Sequence, residues 1–489
     1  MGGSDRGSGG WAALEAIAAV VSAACLGACA PRAERVAGPT GATAERPNIL
    51  FVLIDDLGYA DFSVTGNKQV STPNIDRLAA EGLLMEQFTV AAPICSPSRA
   101  AFMTGRFPAE LGFVSYIDNR RRNREMAQAD WLDPGLPTLP AALRRAGYAT
   151  GHFGKWHLGG GRDIGDAPMP TAYGFDESFT QFEGLGPRVL MAEDDYKLAS
   201  QSAALGQGPI LRAPKSQTTR IYVDKTLEFA SRNARRPWFA QLWLDDIHDP
   251  WHPNAEQLAA VSGKGRTENE KRFFAALVAM DAEVGRLVQE LERHGELGDT
   301  LIVLTGDNGP TAAPYYYKGG VEPPGETGGL RGRKGSLYEG GLRLPLIIRW
   351  PGRVRAGMRD TRTVAGAVDL WPTLAQAAGA ADPADGDGTS VLGAWGGRPL
   401  TSRPDLFYAY GGFGIPGKSP QVHRDRDRSP PFAIRSGNWK LLARGDGSAP
   451  ELYDLAADPN ETRDLAGERG DVVRALTRRL IAWRRTLPQ

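Results

Sequence analysis

A cysteine beside a fixed cation is the most reactive combination in this 489-residue chain. Cys95 is the only cysteine after residue 30, so no second cysteine of the folded part can pair with it. Pro97 favours a helix start, which places Cys95 and Arg99 one turn apart on the same face. A helix N-terminus beside an arginine attracts anions. The residues alone leave Cys95 either as a buried apolar side chain or as a thiolate nucleophile.

Oxygen-bearing side chains follow two predicted strands. Asp55 and Asp56 come after the apolar run 48–54, and Asp307 and Asn308 come after 301–305. Ligands of open α/β sheets gather outside the carboxyl ends of the strands. Carboxylate and amide oxygens favour a hard cation, Ca²⁺ or Mg²⁺. The alternative is that these are turn residues, because Asp and Asn are common at strand ends.

Basic side chains supply the other candidates. Lys155 and His157 are two residues apart, so in an extended chain they point to the same side. His248 follows the predicted strand 238–244, and Lys334 lies in a glycine-rich segment. Taken singly, each is more simply explained as a solvated lysine or a structural histidine. The acids Asp245, Asp246 and Asp249 surround His248; they either raise its pKa or line a pocket.

The elements that would position these residues alternate along the chain. Strands are expected over 48–54, 148–153, 238–244 and 300–305, and helices from Thr72-Pro73, over 140–146 and over 268–294. This order predicts an α/β sandwich with a large, mainly parallel sheet flanked by helices. The loops 176–220 and 310–330, rich in glycine and proline, are expected to shape a pocket.

The last hundred residues predict a smaller unit. Short strand candidates at 407–410, 433–435, 438–442 and 451–454 precede a helix at 472–487. We expect an antiparallel sheet with one terminal helix. The predicted organisation is a catalytic domain over 47–395 and a C-terminal subdomain over 396–489.

The N-terminus resembles an export signal. An apolar, alanine-rich stretch ends in Leu26-Gly27-Ala28-Cys29, which is similar to a bacterial lipobox. We therefore expect a signal peptide over 1–29, a flexible tether over 30–46, and a periplasmic or cell-surface lipoprotein that touches the membrane only through Cys29. Lys+Arg and Asp+Glu both number 57, so no net charge favours a nucleic-acid partner.

Three segments together resemble one family. Residues 95–106 are similar to the C-x-P-S-R-x-x-x-L/M-T-G signature of the type I, formylglycine-dependent sulfatases, near arylsulfatase A and N-acetylgalactosamine-6-sulfatase. The segments GKWHLG (154–159) and KGSLYEGG (334–341) match further motifs of that family. The resemblance implies an alkaline-phosphatase-like sandwich and hydrolysis of a sulfate ester, either of a sugar or polysaccharide or of an aryl alcohol.

The resemblance also implies roles for single residues. A sulfatase-maturing enzyme would convert Cys95 to formylglycine, whose hydrate is the nucleophile. One divalent ion, usually Ca²⁺, would be bound by Asp55, Asp56, position 95, Asp307 and Asn308. The residues acting on the nucleophile or the sulfate would be Arg99, Lys155, His157, His248 and Lys334. The spacing from the strand favours His248 over His252.

Two other functions remain open from the sequence. One is hydrolysis of phosphate or phosphonate esters, which the same fold and metal site serve. The other is an exported binding protein that has lost catalysis, although the intact set of acids, lysines and histidines argues against it.

Overall fold

The computed structural model describes residues 46–317, 320–381, 385–400, 402–411 and 424–488. The predicted signal peptide, Cys29 and residues 30–45 of the predicted tether lie outside these ranges, so those interpretations stay predictions. Within the described ranges, no helix combines the length and the apolar character that crossing a membrane requires.

The described residues form a large sheet of eleven strands. The strands are β1 Asn48–Ile54, β2 Leu83–Thr89, β3 Ala149–Lys155, β4 Glu177–Gln181, β5 Arg188–Met191, β6 Ile210–Ala213, β7 Trp238–Leu244, β8 Thr300–Gly306, β9 Arg343–Arg349, β10 Met358–Asp360 and β11 Ala365–Gly366. Their order is β10-β2-β9-β8-β1-β7-β3-β4-β5-β6, and β11 pairs with β2. Strand β9 runs antiparallel to β2 and β8, and the other pairings are parallel.

Twelve α-helices accompany the strands in the described residues. They are α1 Pro73–Ala80, α2 Cys95–Thr104, α3 Arg120–Glu125, α4 Leu139–Arg145, α5 Leu198–Ala204, α6 Thr218–Asn233, α7 Ala255–Ala260, α8 Glu268–Arg293, α9 Glu339–Leu342, α10 Ala367–Ala378, α11 Leu392–Trp395 and α12 Gly470–Arg484. Helix α8 starts where Thr267 accepts a hydrogen bond from the Glu270 N–H, and it buries Phe273, Leu277 and Met280. The predicted α/β architecture is confirmed.

The central strands are apolar because both faces of the sheet are covered. Every side chain of β7 and β8 is buried, and in β1 only Asn48 is partly exposed. Strand β1 lies between β7 and β8, with Ile54 opposite both Leu244 and Gly306. The residues that follow these three strands therefore emerge together at one edge of the sheet, which is what a site built from strand ends requires.

The C-terminal unit matches its prediction. Strands β12 Leu406–Ala409, β13 Phe432–Ser436, β14 Trp439–Ala443 and β15 Glu451–Asp454 form an antiparallel sheet in that order. Helix α12 packs on β13 and β14. The boundary between 395 and 396 remains a prediction.

One local expectation was wrong. Helix α2 begins at Cys95 itself, with Ile94 as the extended residue before it, so Pro97 is the third helical residue rather than the first. The consequence for the site is small, since Cys95 and Arg99 still lie one turn apart.

Candidate active site

A cavity of about 430 Å³ opens at the carboxyl ends of the central strands. Five of the six predicted catalytic residues line it: Cys95, Lys155, His157, His248 and Lys334. The sixth, Arg99, is completely buried behind the wall. The predicted ligands Asp55, Asp56, Asp307 and Asn308 are buried with it. The structure thus brings the whole predicted set to one place.

Cys95 lies at the first turn of α2 and is nearly inaccessible. Its Sγ donates a hydrogen bond to Asp55 Oδ1 over 3.5 Å, and Lys155 Nζ lies 3.9 Å from Sγ. Burial, and next the charge of Asp55, raise the pKa of the thiol well above its ordinary value. An unmodified thiolate at neutral pH is therefore disfavoured, which counts against the thiolate interpretation.

Arg99 organises the floor of the site rather than facing the cavity. Its Nε donates to Asp307 Oδ2 at 2.9 Å, and Nη1 donates to the Lys155 carbonyl at 2.8 Å. Its Nη2 forms an ion pair with the same Asp307 oxygen at 2.7 Å. The guanidinium also lies 3.4 Å from Asp55 Oδ2. This fork geometry fixes two strand ends against helix α2.

The donor atoms fit a divalent cation. One ligand atom each from Asp55, Asp56, Cys95 and His248 lie within 4.8 Å of one another. Among the described residues, the buried atoms Asp56 Oδ2 and Asn308 Oδ1 have no hydrogen-bond partner. Buried acceptors without donors are costly unless another ligand satisfies them.

Two predicted ligands differ from this group. Asp307 is already engaged, because Oδ2 binds Arg99 and Oδ1 accepts the Asp56 N–H at 3.3 Å. Asn308 donates to Asp56 Oδ1 at 2.7 Å and keeps its own oxygen free. His248, which was not predicted as a ligand, is close enough to be one.

The carboxylates respond differently to burial. Burial alone would raise the pKa of Asp55, but Lys155, His248 and Arg99 reverse this and hold it well below its ordinary value. Burial raises the pKa of Asp56 to about 7 despite Lys334, and that of Asp307 to about 6, with Asp55 adding to the rise. Burial therefore leaves two of the three carboxylates poorly stabilised as anions, and a bound cation would stabilise them.

Lys334 and His248 form a pair at the cavity wall. Lys334 Nζ donates to Asp56 Oδ1 at 2.6 Å and lies 3.2 Å from His248 Nε2. His248 Nδ1 is 2.6 Å from the Asp249 carbonyl, so Nδ1 carries the hydrogen. Burial, with Lys155 and Lys334, lowers the pKa of His248 far below its ordinary value. Asp249 does act to raise this pKa, as one sequence interpretation expected, but burial and the two lysines outweigh it.

His252 is held elsewhere. Its Nε2 lies 2.6 Å from Asp195 Oδ2, on the other side of the cis peptide bond between Asp249 and Pro250. The structure thus places His248, and not His252, beside Lys334.

Lys155 and His157 both face the cavity, but not for the predicted reason. His157 has a left-handed backbone with φ +53°, so the chain is not extended there. Lys155 forms an ion pair with Asp55, and its Nζ lies 4.8 Å from the centre of the Phe182 ring. His157 Nε2 donates to the Ile117 carbonyl at 3.3 Å, and Nδ1 has no partner among the described residues. Burial, and next Lys155, lower the pKa of His157.

Sequence reasoning missed several residues of the cavity. Lys215 is buried, and its Nζ donates to the carbonyls of His248 and Pro250, which fixes the histidine loop. Tyr315 donates to Asp249 Oδ2 at 2.8 Å. Nothing in their local sequence marks them. The expectation that 176–220 and 310–330 shape the pocket is confirmed, although 176–220 also contains β4, β5, β6 and α5.

Comparison with known proteins supplies the family. Residues 47–380 match the Sulfatase family, and 329–486 match the C-terminal region of N-sulphoglucosamine sulphohydrolase. The chain is 34% identical to N-acetylgalactosamine-6-sulfatase of Canis lupus familiaris over 76% of this chain and 70% of that one. It is 31% identical to arylsulfatase A of Homo sapiens over 90% and 87% of the two chains.

Solved structures with a similar fold are consistent with this family. The crystal structure of Ps i-CgsB has a TM-score of 0.73 and 28% identity, covering 91% of this chain and 94% of that one. The phosphonate monoester hydrolase of Agrobacterium radiobacter, at 20% identity, covers 90% of this chain and 96% of that one with a TM-score of 0.61, and shows the shared alkaline-phosphatase-like fold alone. The chain therefore belongs to the sulfatase family and is a sulfuric ester hydrolase.

Proposed function

We propose that this protein hydrolyses a sulfate ester of a carbohydrate or an aryl alcohol, with position 95 as the nucleophile in its formylglycine form. The observation that carries the proposal is the arrangement around Cys95. Its Sγ lies 3.9 Å from Lys155 Nζ, and Lys334, His157 and His248 line the same cavity. The contacts of Sγ stand in for those of the modified side chain.

The metal site belongs to this proposal. Asp55, Asp56, Asn308 and position 95 would hold one divalent ion, Ca²⁺ or alternatively Mg²⁺, and Asp307 would support it from its contact with Arg99. When bound, the ion supplies positive charge that polarises the reacting oxygens. The free acceptors Asp56 Oδ2 and Asn308 Oδ1 support this assignment.

Formylglycine would supply two hydroxyl groups after hydration, one to attack sulfur and one to release sulfate afterwards. The chain's own residues position that group. Arg99 fixes Asp55 and Asp307, and the start of α2 fixes the backbone of residue 95. Thiol and serine side chains lack the second hydroxyl and would stop after the first step.

Lys155 and Lys334 would bind the sulfate oxygens and stabilise the charge that moves to the leaving oxygen. Although burial opposes it, the neighbouring Asp56 raises the pKa of Lys334, so its amine stays charged. Neutral His248 accepts a hydrogen bond from Lys334 through Nε2, so the pair can deliver a proton to the departing alcohol.

His157 would act in the second step. Its pKa is lowered, so it is neutral, and its Nδ1 is free of partners within the described residues. A neutral nitrogen facing the cavity suits a base that takes the proton from the remaining hydroxyl as sulfate leaves.

The names of relatives support a sugar ester. One relative is an N-acetylgalactosamine-6-sulfatase, and Ps i-CgsB was solved with k-i-k-neocarrahexaose. We further propose export as a periplasmic or cell-surface lipoprotein and maturation by a formylglycine-generating enzyme.

The test combines mass spectrometry and kinetics on protein made in its native host. The tryptic peptide 78–99 should carry an aldehyde at position 95, and 4-nitrophenyl sulfate should be cleaved faster than 4-nitrophenyl phosphate. An unmodified thiol in an active enzyme would overturn the proposed nucleophile. Faster cleavage of the phosphate would favour a phosphoester hydrolase.

A further inference from the structure

The two ends of the cavity differ in chemistry. The inner end presents Lys155, Lys334 and the histidines around Cys95. The outer part is lined by the apolar side chains of Leu190, Met191 and Leu198 and by the rings of Tyr196 and Tyr315. A sulfate bound at the inner end therefore leaves its alcohol portion in the outer part.

The cations of the outer part are already occupied. Arg162 Nε lies 2.7 Å from Glu183 Oε1 and 3.3 Å from Asp118 Oδ1. Lys215 Nζ is held by the carbonyls of His248 and Pro250. The two carboxylates neutralise Arg162, and the two carbonyls hold Lys215 Nζ against the histidine loop, which weakens the attraction of either side chain for a second anionic group.

Four carboxylates also line the cavity, those of Asp194, Asp195, Asp245 and Asp249. Ser200 donates to Asp194, His252 contacts Asp195 and Tyr315 donates to Asp249, and each of these carboxylates keeps capacity for a further donor. Asp245 is almost completely buried, and its Oδ1 has no hydrogen-bond donor among the described residues. Such acceptors suit hydroxyl groups and repel a sulfate or carboxylate placed beside them.

Aromatic rings form the mouth. The hydroxyl groups of Tyr196 and Tyr315 are 3.1 Å apart, and Tyr315 packs against Tyr316 with ring centres 4.5 Å apart. Tyr196 is 67% exposed. Asp194, Tyr196 and Lys197 have left-handed backbones, with φ of +41°, +55° and +61°. A strained segment that presents an exposed ring is typical of a ligand contact.

Resting on the proposed function, we infer that the alcohol portion of the substrate is uncharged: a hydroxyl-bearing ring with an apolar face, carrying no second anionic group inside the cavity. The ring stacks on the tyrosines, and its hydroxyl groups donate to the carboxylates of the outer part. The protein thereby discriminates against disulfated or uronate-bearing rings.

Binding tests this independently of turnover. The Ca²⁺-loaded Cys95→Ala variant is titrated calorimetrically with a methyl hexoside 6-sulfate and with the same hexoside bearing a second sulfate at C4. We expect the monosulfate to bind at least tenfold more tightly. Equal or tighter binding of the disulfate, or no binding of the monosulfate, would overturn the inference.

A second variant tests whether the carboxylates cause the preference for the monosulfate. Adding Asp249→Asn should reduce the preference for the monosulfate at least threefold, because a repelling charge is removed. Asp425→Asn is the matched control, since Asp425 is 99% exposed and does not line the cavity; it should leave the preference unchanged. An unchanged preference in Asp249→Asn would contradict the carboxylate explanation. Failure of the wild-type enzyme to cleave any sulfate ester would overturn the proposed function while this binding order still stands.

Discussion

Two clusters of buried charged residues lie in this molecule, and their carboxylates are stabilised differently. The active-site cluster consists of Asp55, Asp56, Asp307, Arg99, Lys155 and Lys334. The seam cluster consists of Glu339, Arg343, Arg435, Lys440 and Glu461. All members of both clusters are buried.

The seam cluster joins the two sheets. Glu339, at the start of α9, accepts from Arg343 Nε at 2.6 Å and from Lys440 Nζ on β14 at 2.8 Å. Lys440 also lies 2.9 Å from Glu461 Oε1, and Glu461 Oε2 accepts the Glu339 N–H at 2.6 Å. Three cations thus surround two carboxylates, and none of the five residues lines the active-site cavity.

The carboxylates of the active-site cluster are less well stabilised as anions, although its formal charges balance. Its three cations face three carboxylates, and burial raises the pKa of two of those carboxylates, Asp56 and Asp307. By contrast, the pKa of Glu339 falls despite burial because Lys440, Arg343 and Arg435 surround it. Glu461 is the exception in the seam, with a pKa raised to about 7 by burial. The comparison indicates that protein cations stabilise Glu339 as an anion, whereas Asp56 and Asp307 would gain the same stabilisation from the proposed divalent ion.

Cys95→Ser should show the difference between the two clusters most clearly, because it should affect turnover far more than stability. Because serine lacks the second hydroxyl group of the formylglycine hydrate, we expect turnover to fall by at least about 10³-fold. The free energy of unfolding should change little, since the Cys95 thiol makes only long contacts. Sulfate release over repeated turnovers, measured beside the midpoint of urea unfolding, checks both statements. Full turnover by the variant would contradict the mechanism.

Glu339→Gln should have the reverse effect of Cys95→Ser: it should lower the stability and leave turnover nearly unchanged. Removing the carboxylate leaves Lys440 and Arg343 buried without their counter-charge, which costs about 3–5 kcal/mol of unfolding free energy. The kcat of the folded fraction should stay within about twofold of wild type, because Glu339 does not line the cavity. Denaturant titration and active-site-normalised kinetics provide the measurement. As a control, Glu468→Gln changes a mostly exposed partner of Arg463 and should cost less than about 1 kcal/mol.

Removal of the divalent ion should also distinguish the clusters. A cation that binds only the folded state at 100 times its Kd stabilises it by about 2.7 kcal/mol. We therefore expect chelator to lower the Tm of the wild type and Ca²⁺ to restore it. In Asp56→Asn this dependence on Ca²⁺ should be weak, whereas Glu339→Gln should keep it. If neither chelator nor Ca²⁺ changed the Tm of the wild type, the proposed metal site would be wrong.

The sequence anticipated the active-site cluster far better than the seam cluster. Strand β7 was predicted with its observed bounds, since a fully buried strand is a continuous apolar run with polar residues at its ends. The motifs then marked Cys95 and Lys334. The meeting of Lys440 and Glu461 with Glu339 was not predicted, because these residues come together only when the second sheet docks. The same holds for Lys215 and Tyr315, whose partners are more than thirty residues away in the chain.

The smallest expected effect is the pH dependence of the seam cluster. The folded-state pKa of Glu339 is depressed below its unfolded value, so the unfolded chain binds the proton more readily at acidic pH. The stabilisation from Glu339 is therefore fully present above about pH 4.5 and is lost as the pH falls toward the folded-state pKa. Each unit between the two pKa values corresponds to about 1.4 kcal/mol.

This acid sensitivity should be attributable to one residue. Unfolding free energies measured between pH 3.5 and pH 6 should fall more steeply with acid in the wild type than in Glu339→Gln, which has no group to protonate at that position. Glu461 acts with the opposite sign, because its raised pKa favours the folded state below about pH 7 and partly offsets the slope. Glu461→Gln should therefore show a steeper loss with acid than the wild type. Parallel slopes in all three proteins would mean that the seam charges are shared across the cluster rather than held by Glu339.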